Sequence, residues 1–326
     1  MEEAIIVGAG PCGIAAAVEL TKAGISPLVI EKNCLVYSIY QYPTNLQFFS
    51  TPEMLEIGDI PFATPNDKPY RQEALAYYRK VAEHYRLRIH SYETVTSVVK
   101  EGELLRLQTI DKSGSAVTYS APYVILATGY FDHPNLLGIP GEELSKVTHY
   151  YKEAHPYTGM KVAIVGGNNS AVDAAMDLIR VGAEVTIVYR KSDYSPNIKP
   201  WVRPIFESMV NKGRIRMLFN SRLASIEQDS VTVETDGRQY KVDNDFVLAM
   251  TGFRPNRSFL EKIGVKLEGD YLIPEHDPET MQTNVEGLYI AGVISSGANA
   301  NEIFIETGRK HGLWIAQHIM ARKSLV

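Results

Sequence analysis

The sequence predicts an α/β fold made of two Rossmann-like dinucleotide-binding domains, with the second domain inserted into the first. Two observations support this fold class. Segments 4–32 and 162–191 each read as an apolar strand, a glycine-rich turn, an amphipathic helix and a second apolar strand. A further apolar strand, 287–292, follows the second of these segments. We therefore expect a discontinuous first domain, formed by residues 1–130 and 253–326, around an inserted domain of residues 131–252.

The length and composition agree with two cytoplasmic domains. A chain of 326 residues with 45% hydrophobic residues can bury two cores of ordinary size. The net charge of −5 and the scattered basic residues argue against nucleic acid and membrane surfaces as partners. The acidic start lacks the pattern of a signal peptide. Two cysteines provide neither a disulfide framework nor a zinc site, so no metal is expected.

The first turn, 8–13, has the dinucleotide-binding pattern in its required place between a strand and a helix. Gly8 permits the tight turn, Gly10 lets the backbone approach a pyrophosphate, and Gly13 lets the helix pack closely on the strand. The helix N-terminus supplies free N–H groups for the phosphates. Glu31, roughly 20 residues further on, can accept hydrogen bonds from ribose hydroxyls and would repel a 2′-phosphate. This turn therefore favours FAD or NAD.

The second turn departs from that pattern. It begins with Gly166 and Gly167, but Asn168 stands where the second glycine of the pattern is expected and Ala171 replaces the third. The strand that follows ends in Tyr189, Arg190 and Lys191, with no carboxylate. An arginine at this place accommodates the 2′-phosphate of NADP, so the second turn favours NADPH.

The other elements can be placed around these two units. The spacing predicts a helix over 71–85, a β-meander over 88–123, and buried strands at 124–129 and 246–252 that end in Thr-Gly. Residues 301–321 are predicted to form one helix, with acidic residues early and basic residues immediately after it.

The paired turns, the two Thr-Gly strand ends and Ala291-Gly292 resemble the two-dinucleotide-binding-domain flavoproteins that include thioredoxin reductases. The resemblance implies that the first turn binds FAD, that the inserted unit binds NADPH, and that the Gly292 turn and the following helix face the flavin. Two departures narrow the choice. No Cys-x-x-Cys pair is present, so thioredoxin reduction by that mechanism is excluded, and the usual acid after the Gly292 turn is missing.

A closer resemblance is to the bacillithiol disulfide reductases of Gram-positive bacteria. It is carried by the runs 38–44, 48–50, 56–59, 194–196, 198–201 and 299–306, and by the first turn with its embedded Cys12. It implies an NADPH-dependent flavoprotein that reduces a low-molecular-weight thiol disulfide, and a homo-oligomer.

The resemblance also implies two sets of cofactor-binding residues. The FAD set is Gly8, Gly10, Pro11, Cys12, Gly13, Glu31, Lys32, Tyr42, Val95, Thr128, Gly129, Gly292, Val293, Asn301 and Glu302. The NADPH set is Gly166, Gly167, Asn168, Asn169, Ser170, Arg190, Lys191, Thr251 and Gly252.

Other functions share the same two cofactor units. A ferredoxin or flavodoxin reductase needs no redox cysteine, and a flavin monooxygenase also combines FAD with NADPH, although the Phe-x-Gly-x-x-x-His linker signature of that class is not found between Gly129 and Val162. A non-enzymatic alternative is an NADPH-binding sensor module.

Cys12 is the candidate catalytic residue. At the start of the first helix, its thiol would lie near free N–H groups that favour the thiolate, although an adjacent pyrophosphate would oppose this effect. Alternatively, Cys12 is a small hydrophobic residue that packs behind the flavin phosphates. The sequence leaves both interpretations open.

Overall fold

The computed structural model describes residues 1–299 and 302–324. In this part of the chain the strands are β1 Ala4–Val7, β2 Pro27–Glu31, β3 Arg88–Ser91, β4 Thr94–Glu101, β5 Leu104–Ile110, β6 Ala116–Ala121, β7 Tyr123–Leu126, β8 Val147–Thr148, β9 Lys161–Val165, β10 Glu184–Val188, β11 Ile215–Leu218, β12 Ser221–Ile226, β13 Ser230–Thr235, β14 Arg238–Asp243, β15 Phe246–Ala249, β16 Leu267–Glu268, β17 Ile273–Pro274 and β18 Leu288–Ile290. The α-helices are α1 Pro11–Lys22, α2 Tyr37–Gln41, α3 Pro52–Leu55, α4 Arg71–His84, α5 Asn169–Leu178, α6 Arg203–Asn211, α7 Arg257–Ile263, α8 Ile305–Gly308 and α9 His311–Lys323.

The chain divides into two compact units. The first unit consists of Met1–Gln41, Leu46–His133 and Phe253–Val326, and the second consists of Tyr42–Asn45 and Pro134–Gly252. Each unit has its own parallel five-stranded sheet and its own antiparallel three-stranded sheet. The predicted fold class, with two Rossmann-like units and one interrupted by the other, is confirmed.

The first unit is built on a parallel sheet of strand order β18-β7-β1-β2-β3. All four side chains of β1 are buried, as expected for a central parallel strand covered on both faces. Helix α1 packs against α9, where a Cβ on Gly312 would lie only 2.6 Å from the Cα of Ala16. Glycines thus let α1 lie close to its neighbours at two places. One is this contact with α9, and the other is the turn before α1 that is described below.

The second unit repeats this design with strand order β11-β10-β9-β15-β8. Strands β9 and β10 pair in register from Lys161 opposite Glu184 to Val165 opposite Val188. Helix α5 covers the sheet with small and apolar residues, among them Ala171, Val172 and Leu178. The strand ends that carry the turn at Gly166 and the cations after β10 thus lie at the same edge of the sheet.

Most of the predicted elements are present in the structure. Helix α4 confirms the helix predicted over 71–85, and β7 and β15 confirm the buried strands predicted at 124–129 and 246–252. In the predicted meander, β4, β5 and β6 form an antiparallel sheet, whereas β3 joins the parallel sheet instead. The single helix predicted over 301–321 is wrong: the described part of that segment forms two helices, α8 and α9. Among the described residues, no helix is both long and apolar enough to cross a bilayer.

Candidate functional site

The first turn is shaped by two backbone contacts that only glycine allows. Gly8 has a φ of +105°, and a Cβ at this position would lie 2.5 Å from the carbonyl oxygen of Ala127. A Cβ on Gly13 would lie 2.0 Å from the carbonyl oxygen of Gly8. Both distances are far below van der Waals contact, so these two glycines are required by the fold itself.

Gly10 is different because the space in front of it is open. No atom lies within 4 Å of the position where its Cβ would be, and its φ of −71° is accessible to any residue. Gly10 is the N-cap of α1, Pro11 is the first helical residue, and no side chain caps the helix. A helix N-terminus with open space in front of it fits the pyrophosphate of a dinucleotide.

Glu31 ties this turn to the end of β2. Its Oε2 accepts a hydrogen bond from the N–H of Ala9 at 2.8 Å, and its Oε1 accepts one from the N–H of Asn33 at 2.8 Å. Burial raises the pKa of Glu31, and the two N–H groups oppose that shift. Each carboxylate oxygen keeps a lone pair for a ribose hydroxyl. The next residue, Lys32, is paired with Asp132 at 2.9 Å.

The ends of β7 and β18 bring further predicted residues to this turn. Thr128 and Gly129 follow β7, and a Cβ on Gly8 would lie 3.4 Å from the Cα of Thr128. Gly292 follows β18 with a φ of +78°, and a Cβ there would lie 2.9 Å from the Sγ of Cys12. The structure therefore brings together the first turn, Glu31, Thr128 and Gly292.

Five other residues of the predicted FAD set are not covered by the contacts given above, among them Val293, which directly follows Gly292. Val95 lies in β4 and packs against the core of the first unit. Tyr42 belongs to the second compact unit. The exposed Glu302 accepts a hydrogen bond from Asn299 at 2.7 Å, and Asn301 lies outside the described residues.

Cys12 lies in a slot between two glycines. Its Sγ is 2.9 Å from the position of a Cβ on Gly292 and 2.8 Å from that of a Cβ on Gly308. Burial, together with the negative charge of Glu306, raises the pKa of Cys12 to about 12. Loss of solvent and the charge of Glu306 therefore oppose the thiolate that the helix N-terminus was expected to favour.

The sequence reasoning missed two residues beside this slot. The buried imidazole of His311 accepts a hydrogen bond at Nδ1 from the N–H of Gly292, at 3.2 Å, and burial lowers the pKa of His311 to about 4. Glu306 accepts a hydrogen bond from the hydroxyl of Ser50. Gly308 and Gly312 are the sequence signal that could have revealed this region, because a glycine within a helical pattern often marks close packing.

The second turn has the same backbone design at its first glycine. A Cβ on Gly166, whose φ is +138°, would lie 2.5 Å from the carbonyl oxygen of Met250, and one on Gly167 would lie 2.6 Å from the ring of Tyr189. Asn168 is the N-cap of α5, and Asn169 and Ser170 form its first turn.

Two pairs of predicted NADPH residues follow neighbouring strands. Arg190 and Lys191 come directly after β10, and both are exposed. Thr251 and Gly252 come shortly after β15, and the hydroxyl of Thr251 donates a hydrogen bond to the carbonyl oxygen of Asn135 at 2.6 Å. The exposed cations leave positive charge at the strand end where a 2′-phosphate is expected.

Among the described residues, no group of three or more His, Cys, Asp or Glu could hold a metal ion.

The family model for pyridine nucleotide-disulphide oxidoreductases matches residues 5–292, which include both turns. The chain belongs to this family. Family membership implies FAD and NADPH as the cofactors, as predicted from the two turns. The open space at Gly10 and the cations after β10 fit a dinucleotide at the first turn and a phosphorylated coenzyme at the second.

Close relatives of this oxidoreductase extend over its full length. It is 50% identical to the bacilliredoxin reductase Bdr of Bacillus subtilis over 325 residues, which cover 99% of each chain. The bacillithiol disulfide reductase Bdr (YpdA) of Bacillus cereus is 50% identical and has a TM-score of 0.97, with 98% of this chain and 99% of the other covered. The protein of the same name from Staphylococcus aureus is 44% identical and has a TM-score of 0.94, with 99% of each chain covered. The predicted resemblance is thus confirmed.

Because the space in front of Gly10 is open, a substitution there should impair flavin binding without impairing folding. We expect Gly10→Val to fold normally, because the new side chain enters open space, but to purify without the flavin absorption band, because it blocks the backbone from the pyrophosphate. Flavin absorbance per folded protein and circular dichroism measure the two effects. Gly13→Ala is the contrasting variant and should destabilise the fold itself. A Gly10→Val protein that keeps its full flavin content would refute the assignment.

Proposed function

We propose that this protein is an FAD-containing, NADPH-dependent reductase of a low-molecular-weight thiol disulfide, specifically bacillithiol disulfide. The observation that carries the proposal is the contrast between the two turns in a chain whose full length resembles such reductases. The strand–helix–strand unit that contains the first turn ends at the carboxylate of Glu31. The unit that contains the second turn ends at the cations Arg190 and Lys191. The first would hold the ribose of FAD, and the second the 2′-phosphate of NADPH.

The reaction consumes NADPH, one proton and one disulfide, and it yields NADP⁺ and two thiols. FAD, when bound, supplies two-electron transfer between the coenzyme and the disulfide. We propose residues 8 and 10–13 of the first turn, with Glu31, Thr128, Gly129, Gly292 and Val293, as FAD contacts. We propose residues 166–170, with Arg190, Lys191, Thr251 and Gly252, as NADPH contacts. The predicted homo-oligomer and the cytoplasmic location stay predictions.

We further propose that Cys12 is the nucleophile that attacks the disulfide. Its thiol must lose its proton before the sulfur can attack, since only the thiolate is a nucleophile. Glu306 is a charged neighbour that raises the Cys12 pKa, and it accepts a hydrogen bond from the hydroxyl of Ser50. Attack forms a bond from Cys12 Sγ to one substrate sulfur and releases the other as a thiolate. The sequence holds no second cysteine at redox spacing, so the electron pair that cleaves this mixed disulfide comes from the coenzyme.

A turnover screen of the purified holoenzyme tests the reaction class. We expect NADPH oxidation that depends on bacillithiol disulfide and exceeds the rate with oxygen alone. NADPH oxidation that requires ferredoxin and cytochrome c would indicate a ferredoxin reductase, and a hydroxylated product would indicate a monooxygenase. NADPH binding without turnover on any acceptor would indicate a sensor module. Each of these three results would contradict the proposal.

Arg190 should set the preference for NADPH over NADH. Removal of one charge-assisted hydrogen bond in Arg190→Ala should weaken NADPH binding by about 1.5–3 kcal/mol and leave NADH nearly unchanged. Steady-state KM values and calorimetric Kd values measure the difference. Arg180→Ala, in the turn that follows α5, is the matched control and should alter neither coenzyme. Equal weakening of both coenzymes in Arg190→Ala would mean that Arg190 only supports the fold.

The role of Cys12 can be separated from its packing by two variants. Cys12→Ser keeps nearly the same size and Cys12→Ala leaves a small gap, but both remove the thiol. If Cys12 meets the disulfide, both variants keep their flavin and its bleaching by NADPH, and both lose disulfide-dependent turnover. Stopped-flow absorbance and steady-state assays on one preparation measure the two half-reactions, with Cys34→Ser as the control. Undiminished turnover in Cys12→Ser would leave packing as its role.

A further inference from the structure

Trp201 is a large aromatic residue left on the surface of the second unit. The residue is 60% exposed, and the ammonium of Lys199 lies 5.5 Å from the centre of its ring. The Lys199 ammonium itself is buried beside the ring, so the exposed indole is the part of this pair that can accept a flat ring. Trp201 belongs to the segment between β10 and α6, which also carries Arg190 and Lys191.

This segment is fastened to the second turn by side-chain hydrogen bonds. The N–H of Lys199 donates to Asn169 Oδ1 at 3.0 Å, and Asn169 Nδ2 donates to the carbonyl oxygen of Asn197 at 2.9 Å. The hydroxyl of Ser195 donates to Asn168 Oδ1 at 2.5 Å. Asn168 and Asn169 are the residues that open α5, so the segment is held beside the helix start where coenzyme phosphates are expected.

The hydrogen bonds that fix this segment have an energetic consequence. A loop that is already fixed loses little conformational entropy when a ligand binds, so its contacts add more fully to the affinity. The hydrogen bonds through Ser195 and Asn169 hold the backbone on both sides of Asn197, just before Lys199 and Trp201. The exposed indole is therefore presented from a prepared position.

We propose that Lys199 and Trp201 form an arm of the coenzyme site, in which Trp201 stacks on the adenine of NADPH and the buried Lys199 ammonium holds the indole ring in place. This inference rests on the proposed NADPH assignment of the second unit. The adenine half is the reasoned contact because Trp201 lies on the same connection as Arg190, which follows the strand end that meets the adenosine ribose in such folds. Stacking of a base on an aromatic side chain contributes substantially to affinity.

Tryptophan fluorescence tests the contact in the FAD-loaded enzyme, with 2′,5′-ADP and NADP⁺ as the probes. Wild-type protein should show saturable quenching by both ligands, with the midpoint equal to the calorimetric Kd. Trp201→Phe should bind both ligands almost as tightly and lose the quenching, while Trp314 remains as an internal reference. Trp201→Ala should bind 2′,5′-ADP about tenfold more weakly. Tyr240→Ala, an exposed aromatic on β14, is the matched control and should bind normally.

The outcomes separate the arm from the coenzyme assignment. Normal calorimetric binding of 2′,5′-ADP to wild type and to Trp201→Ala, without quenching, would overturn the arm and leave the NADPH assignment intact. Absence of calorimetric binding of either ligand to wild type would overturn both. Lys199→Gln adds an independent measurement: we expect weaker binding of 2′,5′-ADP, because the indole loses the cation that holds its ring. An unchanged Kd in Lys199→Gln would remove Lys199 from the arm.

Discussion

The close approach of α1 to the sheet is the constraint on which the first site depends. Gly13 packs on the carbonyl oxygen of Gly8, and Gly8 packs on the carbonyl oxygen of Ala127, at distances that leave no room for a Cβ. The helix start is thereby fixed at the ends of β1 and β7. Because the N-terminus of α1 then faces open space at Gly10, these two close approaches fix the position of Cys12 and of the helix end where a pyrophosphate is expected.

The second unit has the same close approach between helix and sheet, but its helix start differs from that of the first unit. Gly166 approaches the carbonyl oxygen of Met250 at the distance that Gly8 keeps from Ala127, so the strand-to-helix turn is equally tight. Where the first turn has the open Gly10, however, the second has Asn168, whose side chain is bonded to Ser195. In place of open space, the second turn therefore has a hydrogen bond to the segment that carries Arg190 and Lys191. A steric pattern alone does not make the two turns equivalent.

Local rules explain why the sequence predicts most of the fold. Strand burial, helix periodicity and the glycine turn depend on neighbours in the chain, and these predictions are confirmed for β1, α4 and both Rossmann units. The errors arise where contacts between residues that are distant in sequence determine the structure. The C-terminal segment breaks between α8 and α9, and Gly308 and Gly312 within it are pressed against Cys12 and Ala16, far away in sequence. Neither this break nor the buried His311 follows from periodicity.

The electrostatic surroundings of Cys12 depend on the same distant contacts. His311 is held neutral by burial and accepts a hydrogen bond from Gly292, so it adds no positive charge near the sulfur, while Glu306 adds a negative one. Both effects keep the thiol protonated. Because oxidation of a cysteine follows its thiolate character, a raised pKa lowers the reactivity expected of Cys12 toward general oxidants. A neutral sulfur held between two glycines is thus compatible with packing and with chemistry.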